Sequence, residues 1–157
     1  MSEELFKPTL SEERATKTYD ISKLYYVAFF GGVIPTVILG AKNARWLGID
    51  KKKIILMIAL GAIVLISQII ALKIFIAHPS DMDTRSNIKI ISIIYQGASL
   101  LLSYIYYNLM QKNFKMHIMT GGETEPMLKE AIIWTIISTV IVSLIFIYIG
   151  VFKSYGF

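Results

Sequence analysis

Long apolar runs separated by short polar segments dominate the pattern along the chain. The apolar runs cover residues 24–41, 54–77, 90–110 and 131–152, and each contains at least 18 residues. An α-helix rises 1.5 Å per residue, so the shortest run reaches about 27 Å, close to the roughly 30 Å of a bilayer's hydrocarbon core. The pattern therefore predicts four membrane-spanning helices.

The polar segments that join these runs are short, covering residues 42–53, 78–89 and 111–130. Short links place consecutive helices side by side and antiparallel. We expect an all-α fold, a single transmembrane domain built as a four-helix antiparallel bundle and preceded by a polar tail at residues 1–23. Thr124 is expected to cap the fourth helix, which then begins a turn before its apolar run.

Composition supports a lipid-exposed protein. Hydrophobic residues make up 55% of the 157 residues and charged residues 17%, and the mean hydropathy is +0.59. This is more apolar surface than a core of that size can bury, and lipid is the simplest solvent for the surplus. We therefore expect a multi-pass protein of the cell membrane, of the bacterial inner-membrane type.

Basic residues flank the apolar runs, and the formal net charge is +5. This placement favours membrane lipids, anionic headgroups in particular, over nucleic acid as the partner. Four spans would divide the 16 positive residues eight and eight between the two sides. The dense first link breaks the tie, which predicts that both termini lie outside the cytoplasm. The headgroup or partner contacts expected in that link are Lys42, Arg45, Lys51, Lys52 and Lys53.

A break is expected in the first apolar run, where Gly31, Gly32 and Pro35 interrupt the helical pattern. Neighbouring helices in a membrane bundle can satisfy the backbone groups that such a break frees.

The surrounding residues resemble a pattern found in small uncharacterised bacterial multi-span membrane proteins. Those proteins carry a Phe-Gly-Gly segment in the first helix and an Asn…Leu-Gly exit, and the resemblance covers about 20 residues. It implies a few spans and no known activity. The matching residues here are Phe30, Gly31, Gly32, Pro35, Leu39, Asn43, Leu47 and Gly48.

A polar seam is predicted on the third helix, where Ser92, Gln96, Ser99 and Ser103 recur at steps of four, three and four. This spacing places them on one helix face. Gln68 of the second run lies at the same depth as Gln96, about 21 Å from the same membrane face. We expect these two side chains to form a hydrogen bond or to share a polar pocket. The fourth helix closes the seam with Thr135, Thr139 and Ser143, although such residues also serve plain helix packing.

Candidate chemistry is sparse. The four apolar runs contain no Asp or Glu, the groups on which ion-coupled transporters usually depend, and the chain contains no cysteine. His78, Asp81 and Asp83 lie together in the second link, where a solvated loop is a better interpretation than a metal site. We expect no catalytic site, cofactor or metal, and therefore no enzyme.

Two classes of function remain open. The first is an accessory, immunity-like or complex-subunit protein that acts through helix–helix contacts with another membrane protein or with a second copy. The alternative is a small transporter or channel, lined by the polar seam at Gln68 and Gln96 and by the broken first helix. The missing acidic residues and the small size favour the first class.

Overall fold

A computed structural model describes residues 17–77 and 84–154, and it is built almost wholly from helices. Two short strands, β1 (Thr18–Tyr19) and β2 (Thr124–Glu125), pair in parallel. Because these strands are very short and the other elements are helices, the expected all-α class is confirmed. The five α-helices of the described residues are α1 (Leu24–Gly31), α2 (Val33–Trp46), α3 (Lys51–Ala77), α4 (Thr84–Met119) and α5 (Leu128–Ser154).

The first apolar run forms a helical hairpin instead of a single helix. Gly32 separates α1 from α2 with φ 75° and ψ −156°, a backbone conformation that is essentially restricted to glycine. The chain reverses there, and the start of α1 therefore lies beside the second half of α2. Tyr19, just before α1, packs on Trp46 at the end of α2 with ring centroids 4.8 Å apart. Pro35 lies in the first turn of α2, where its missing N–H costs no helical hydrogen bond.

The hairpin returns to the end of the molecule from which it starts. We call this end, which holds residues 17–23, 42–53 and 112–129, the basic end. The Asn113 side chain donates to the Leu47 carbonyl over 3.1 Å, which brings the last turns of α4 to the same level as the end of α2. From the basic end α3 runs to the opposite, distal end, α4 returns, and α5 leaves again.

The hairpin fills the space between the three long helices in the half of the molecule nearest the basic end. Helix α2 packs on α3, α4 and α5, and α1 packs on α4 and α5. Leu39, Met57 and Tyr106 are fully buried where these helices meet. The Tyr106 hydroxyl donates to the Met57 carbonyl and so ties α4 to α3.

Local hydrogen bonds end α2 at Trp46, inside the first link, whereas α4 continues to Met119, well into the third link. After α2, Gly48 has φ 64°, its N–H donates to the Arg45 carbonyl, and the Ile49 N–H donates to the Ala44 carbonyl. This is the Schellman pattern. Helix α5 begins before its apolar run, as expected, but the expectation that Thr124 caps it is wrong: Thr124 pairs with Thr18 in the two-stranded sheet.

The outer faces of α3 and α5 are apolar. In the described part of the chain, two helices are long and apolar enough to cross a membrane, at Lys51–Ile74 and Leu128–Ile145. Only 17% of the α3 segment and 6% of the α5 segment are buried, so neither helix is the core helix of this fold. Helices α1 and α2, with 8 and 14 residues, are each too short to span, so the expected first span is replaced by the hairpin.

Candidate functional site: a polar cavity beyond the hairpin tip

A cavity of about 410 Å³ lies on the distal side of the hairpin tip. The residues from Ala28 to Ile34 form its floor, and α3, α4 and α5 form its walls. Gln68 stands about 25 Å along α3 from the basic end, whereas the hairpin tip lies about 21 Å along α2 from that end. The cavity therefore occupies the half of the molecule that the hairpin leaves unfilled. Its polar side chains come from Gln68, Ser92, Tyr95, Gln96, Ser99, Ser138, Thr139 and Ser143.

The structure brings six of the eight residues of the predicted seam into this cavity, and the predicted helix break forms its floor. Two seam residues lie elsewhere. Ser103 is fully buried, and its hydroxyl has no hydrogen-bond partner among the described residues. Thr135 faces Gly31 across the contact between α5 and α1, where a Cβ on the glycine would lie 2.6 Å from the threonine hydroxyl. Thr135 therefore serves the close packing of the hairpin.

Gln68 and Gln96 line the same cavity but form no hydrogen bond with each other. The Gln68 side-chain amide donates to the Tyr95 carbonyl over 3.3 Å, and the Tyr95 hydroxyl donates to the Gln68 carbonyl over 2.5 Å. This reciprocal pair joins α3 to α4 beside the cavity. The spacing of polar residues did not predict Tyr95, because Tyr95 lies one residue before Gln96 and so outside the predicted seam.

The broken backbone at the tip finds hydrogen-bond donors in α5 and α2. The Ser138 hydroxyl donates to the Gly31 carbonyl over 3.3 Å, and the Thr36 hydroxyl donates to the Gly32 carbonyl over 2.7 Å. Such partners are what irregular backbone needs when it is buried away from water. Sequence reasoning missed Ser138, although a hydroxyl three residues after Thr135 was the available signal. The Ser138 bond holds the cavity floor against α5, and the Thr36 bond closes the first turn of α2.

The lining determines which ligands the cavity suits. The described residues that line it supply amides, hydroxyls and apolar groups such as Phe29, Phe30 and Leu65, and none of them carries a charged side chain. A neutral molecule with hydrogen-bonding groups fits this surface, whereas an ion would find no counter-charge. Within residues 17–77 and 84–154, no group of three or more His, Cys, Asp or Glu could hold a metal ion. The His78, Asp81 and Asp83 cluster lies outside the described residues.

The first-link cations divide into two groups. Lys42, expected as a headgroup contact, instead lies 2.6 and 2.7 Å from the two carboxylate oxygens of Glu130 and 4.8 Å from the Trp46 ring centroid. Its charge is therefore engaged in joining α2 to α5. The other four cations, Arg45, Lys51, Lys52 and Lys53, are exposed at the basic end.

Asn43 secures the entry to the hairpin. It is 1% exposed, and its side-chain oxygen accepts from the Thr18 hydroxyl over 2.8 Å and from the Tyr19 N–H over 2.7 Å. Its amide donates back to the Tyr19 carbonyl over 3.1 Å. Beside this clamp, the hydrogen bond and charge of Glu125 raise the pKa of Lys17, and burial raises the pKa of Tyr19. The chain before α1 is thus fixed to the end of α2.

Comparison with known proteins identifies no match for this chain among family models, curated proteins or solved structures.

Proposed function

We propose that this chain is a multi-pass membrane protein in which α3, α4 and α5 cross the bilayer. The α1–α2 hairpin enters from the basic end and turns at mid-depth. Large apolar side chains exposed along the long helices support this placement, since contiguous apolar surface of this extent is rare in soluble monomers. Examples are Ile63 and Ile74 on α3 and Ile133 and Leu144 on α5.

The hairpin changes the charge count that orients the protein. It places residues 17–23 at the basic end, whereas a spanning first helix would have placed them at the distal end. By the rule that positive loops stay inside, the basic end is cytoplasmic and α5 ends outside. The described basic-end cations are Lys17, Lys23, Lys42, Arg45, Lys51, Lys52, Lys53, Lys112, Lys115 and Lys129, against Lys73, Arg85, Lys89 and Lys153 in the distal half.

This orientation predicts opposite labelling of two serine-to-cysteine variants. The chain has no cysteine of its own, so Ser22→Cys and Ser154→Cys each introduce a single thiol. In intact cells, we expect a membrane-impermeant thiol reagent to label the Ser154→Cys variant and to reach the Ser22→Cys variant only after permeabilisation. Labelling of both variants in intact cells would restore the arrangement with both termini outside.

The cavity is the part of the molecule most suited to a specific activity. We infer that it binds a small, uncharged polar solute that enters from the distal side. One observation carries this inference: seam residues from three helices meet a half-buried backbone break at a single cavity. Discontinuous helices near the bilayer midplane are where many transporters bind their substrates. Its volume also falls within the range of small-molecule sites.

Two neighbouring positions on α5 test this function directly. Thr139 lines the cavity, whereas Val140 is exposed on a face outside it. We expect a water-soluble thiol reagent to modify the Thr139→Cys variant much faster than the Val140→Cys variant. Burial in lipid raises the pKa of a thiol, and each unit of that pKa lowers the thiolate fraction about tenfold. Polyols and small amides should slow the modification of the Thr139→Cys variant by occupying the cavity.

The matched control for solute protection uses the same substitution inside and outside the cavity. Adding Gln68→Leu and Gln96→Leu to the Thr139→Cys variant should abolish protection, whereas adding Gln111→Leu should preserve it. Equal reactivity at positions 139 and 140 would contradict a water-filled cavity within a lipid-facing bundle. A reactive thiol at position 139 that no neutral solute protects would contradict solute binding.

A second candidate function keeps the accessory, immunity-like or complex-subunit interpretation. On α5, Val140, Ile141 and Leu144 are exposed outside the cavity. A helix in this state suits contact with another membrane helix, supplied by a partner or by a second copy. The mass of the detergent-solubilised particle distinguishes a partner from a second copy. A particle that contains one copy of the chain and nothing else removes the support for this alternative.

A further inference from the structure

An apolar groove runs between α1 and α5 in the half of the molecule nearest the basic end. It has a volume of about 420 Å³ and begins at Lys23, the residue before α1. From there it follows about 10 Å of α1 to Phe30, which separates it from the polar cavity. Val27, Ala131 and Ile132 are among the side chains that make its walls apolar.

The groove carries positive charge at its mouth. Among the described residues that line it, Lys23 alone carries a charge. The Lys23 side chain is exposed and forms no ion pair with the described residues. Two carboxylates of the same end pair with other lysines, Glu125 with Lys17 and Glu130 with Lys42. The Asp20 carboxylate accepts the Ser22 N–H over 3.0 Å. The apolar groove thus ends at a cation that forms no ion pair with the described residues.

We propose that this groove binds one anionic phospholipid. Its phosphate lies beside Lys23, and the first part of one acyl chain lies between α1 and α5. Charge complementarity selects this occupant, because the groove joins an apolar floor to a cation at the level where headgroups meet the hydrocarbon core. The bound chain fills the gap beside the hairpin and so adds to its attachment to α5. The proposal presumes a membrane setting but does not depend on the role of the polar cavity.

The test uses the purified full-length protein in dodecyl maltoside micelles that contain dioleoyl phosphatidylglycerol or dioleoyl phosphatidylcholine. Native mass spectrometry counts the retained lipid, and a thermal melt reports Tm. We expect preferential retention of phosphatidylglycerol and a higher Tm with it. Lys23→Gln should weaken its binding about fivefold. Lys129→Gln removes the same charge from an exposed α5 site outside the groove and should leave binding unchanged.

Filling the groove separates acyl-chain binding from surface attraction. Ala131→Phe should abolish lipid retention, and Ala131→Leu provides a milder filling variant that is easier to fold. Equal retention of the two lipids, equal effects of Lys23→Gln and Lys129→Gln, or full retention in both filled variants would each overturn the proposal. A Tm increase with inorganic phosphate alone, equal to that with the lipid, would also overturn it. Selective lipid retention without solute protection in the cavity would remove only the proposed solute site.

Discussion

Replacing Asn43 by alanine is expected to lower the free energy of unfolding by about 3 kcal/mol, since a buried polar group left without its partner costs about 1–3 kcal/mol. The substitution leaves the Thr18 hydroxyl and the Tyr19 N–H without the side-chain oxygen that accepts from both. Both residues are buried, so water does not readily replace that oxygen. Denaturation of the purified protein in mixed micelles measures the change.

Asn108→Ala provides the matched control, because Asn108 is exposed on α4 and loses nothing comparable. We expect its effect to stay within about 0.5 kcal/mol. The Asn43→Ala variant should also be cleaved faster by protease near residue 17, because β1 is released from α2. Equal stability of the two variants would show that the clamp does not hold the hairpin closed.

Alanine at Gly32 is expected to destabilise the protein, whereas alanine at Gly97 should stabilise it. At both positions, no atom of the described residues beyond the adjoining backbone lies within 4 Å of where a Cβ would stand, so steric crowding does not differ between them. Gly32 adopts φ 75° and ψ −156°, and a side chain in that region costs of the order of 1–3 kcal/mol. Gly97 lies within α4, where alanine is favoured over glycine by roughly 0.5–1 kcal/mol.

The same denaturation series distinguishes the two outcomes by sign. The Gly32→Ala variant should unfold about 2 kcal/mol more easily, and the Gly97→Ala variant should resist unfolding more than the unsubstituted protein. If both variants gain stability, the chain continues through residue 32 as one helix and the hairpin is wrong. That result would also restore the even division of positive charge between the two ends.

Helices α3 and α5 and the polar face of α4 were predictable because they depend on local patterns. The apolar runs that begin at residues 54 and 131 gave α3 and α5 to within about one turn. Regular spacing placed Ser92, Gln96 and Ser99 on one face of α4, and the cavity has that face as a wall. Gly31 and Gly32 marked the interruption, because glycine weakens a helix wherever it occurs.

Hydropathy cannot distinguish a chain that crosses a membrane from one that enters and turns back, because both are equally apolar. The direction after Gly32 depends on contacts between residues far apart in the chain: Asn43 with Tyr19, and Lys42 with Glu130. Ser138 completes the turn from α5 by bonding the Gly31 carbonyl. Helix content and the polar face therefore follow from the amino-acid pattern alone, whereas the hairpin and the cavity floor require long-range packing, because their partners come from separate helices.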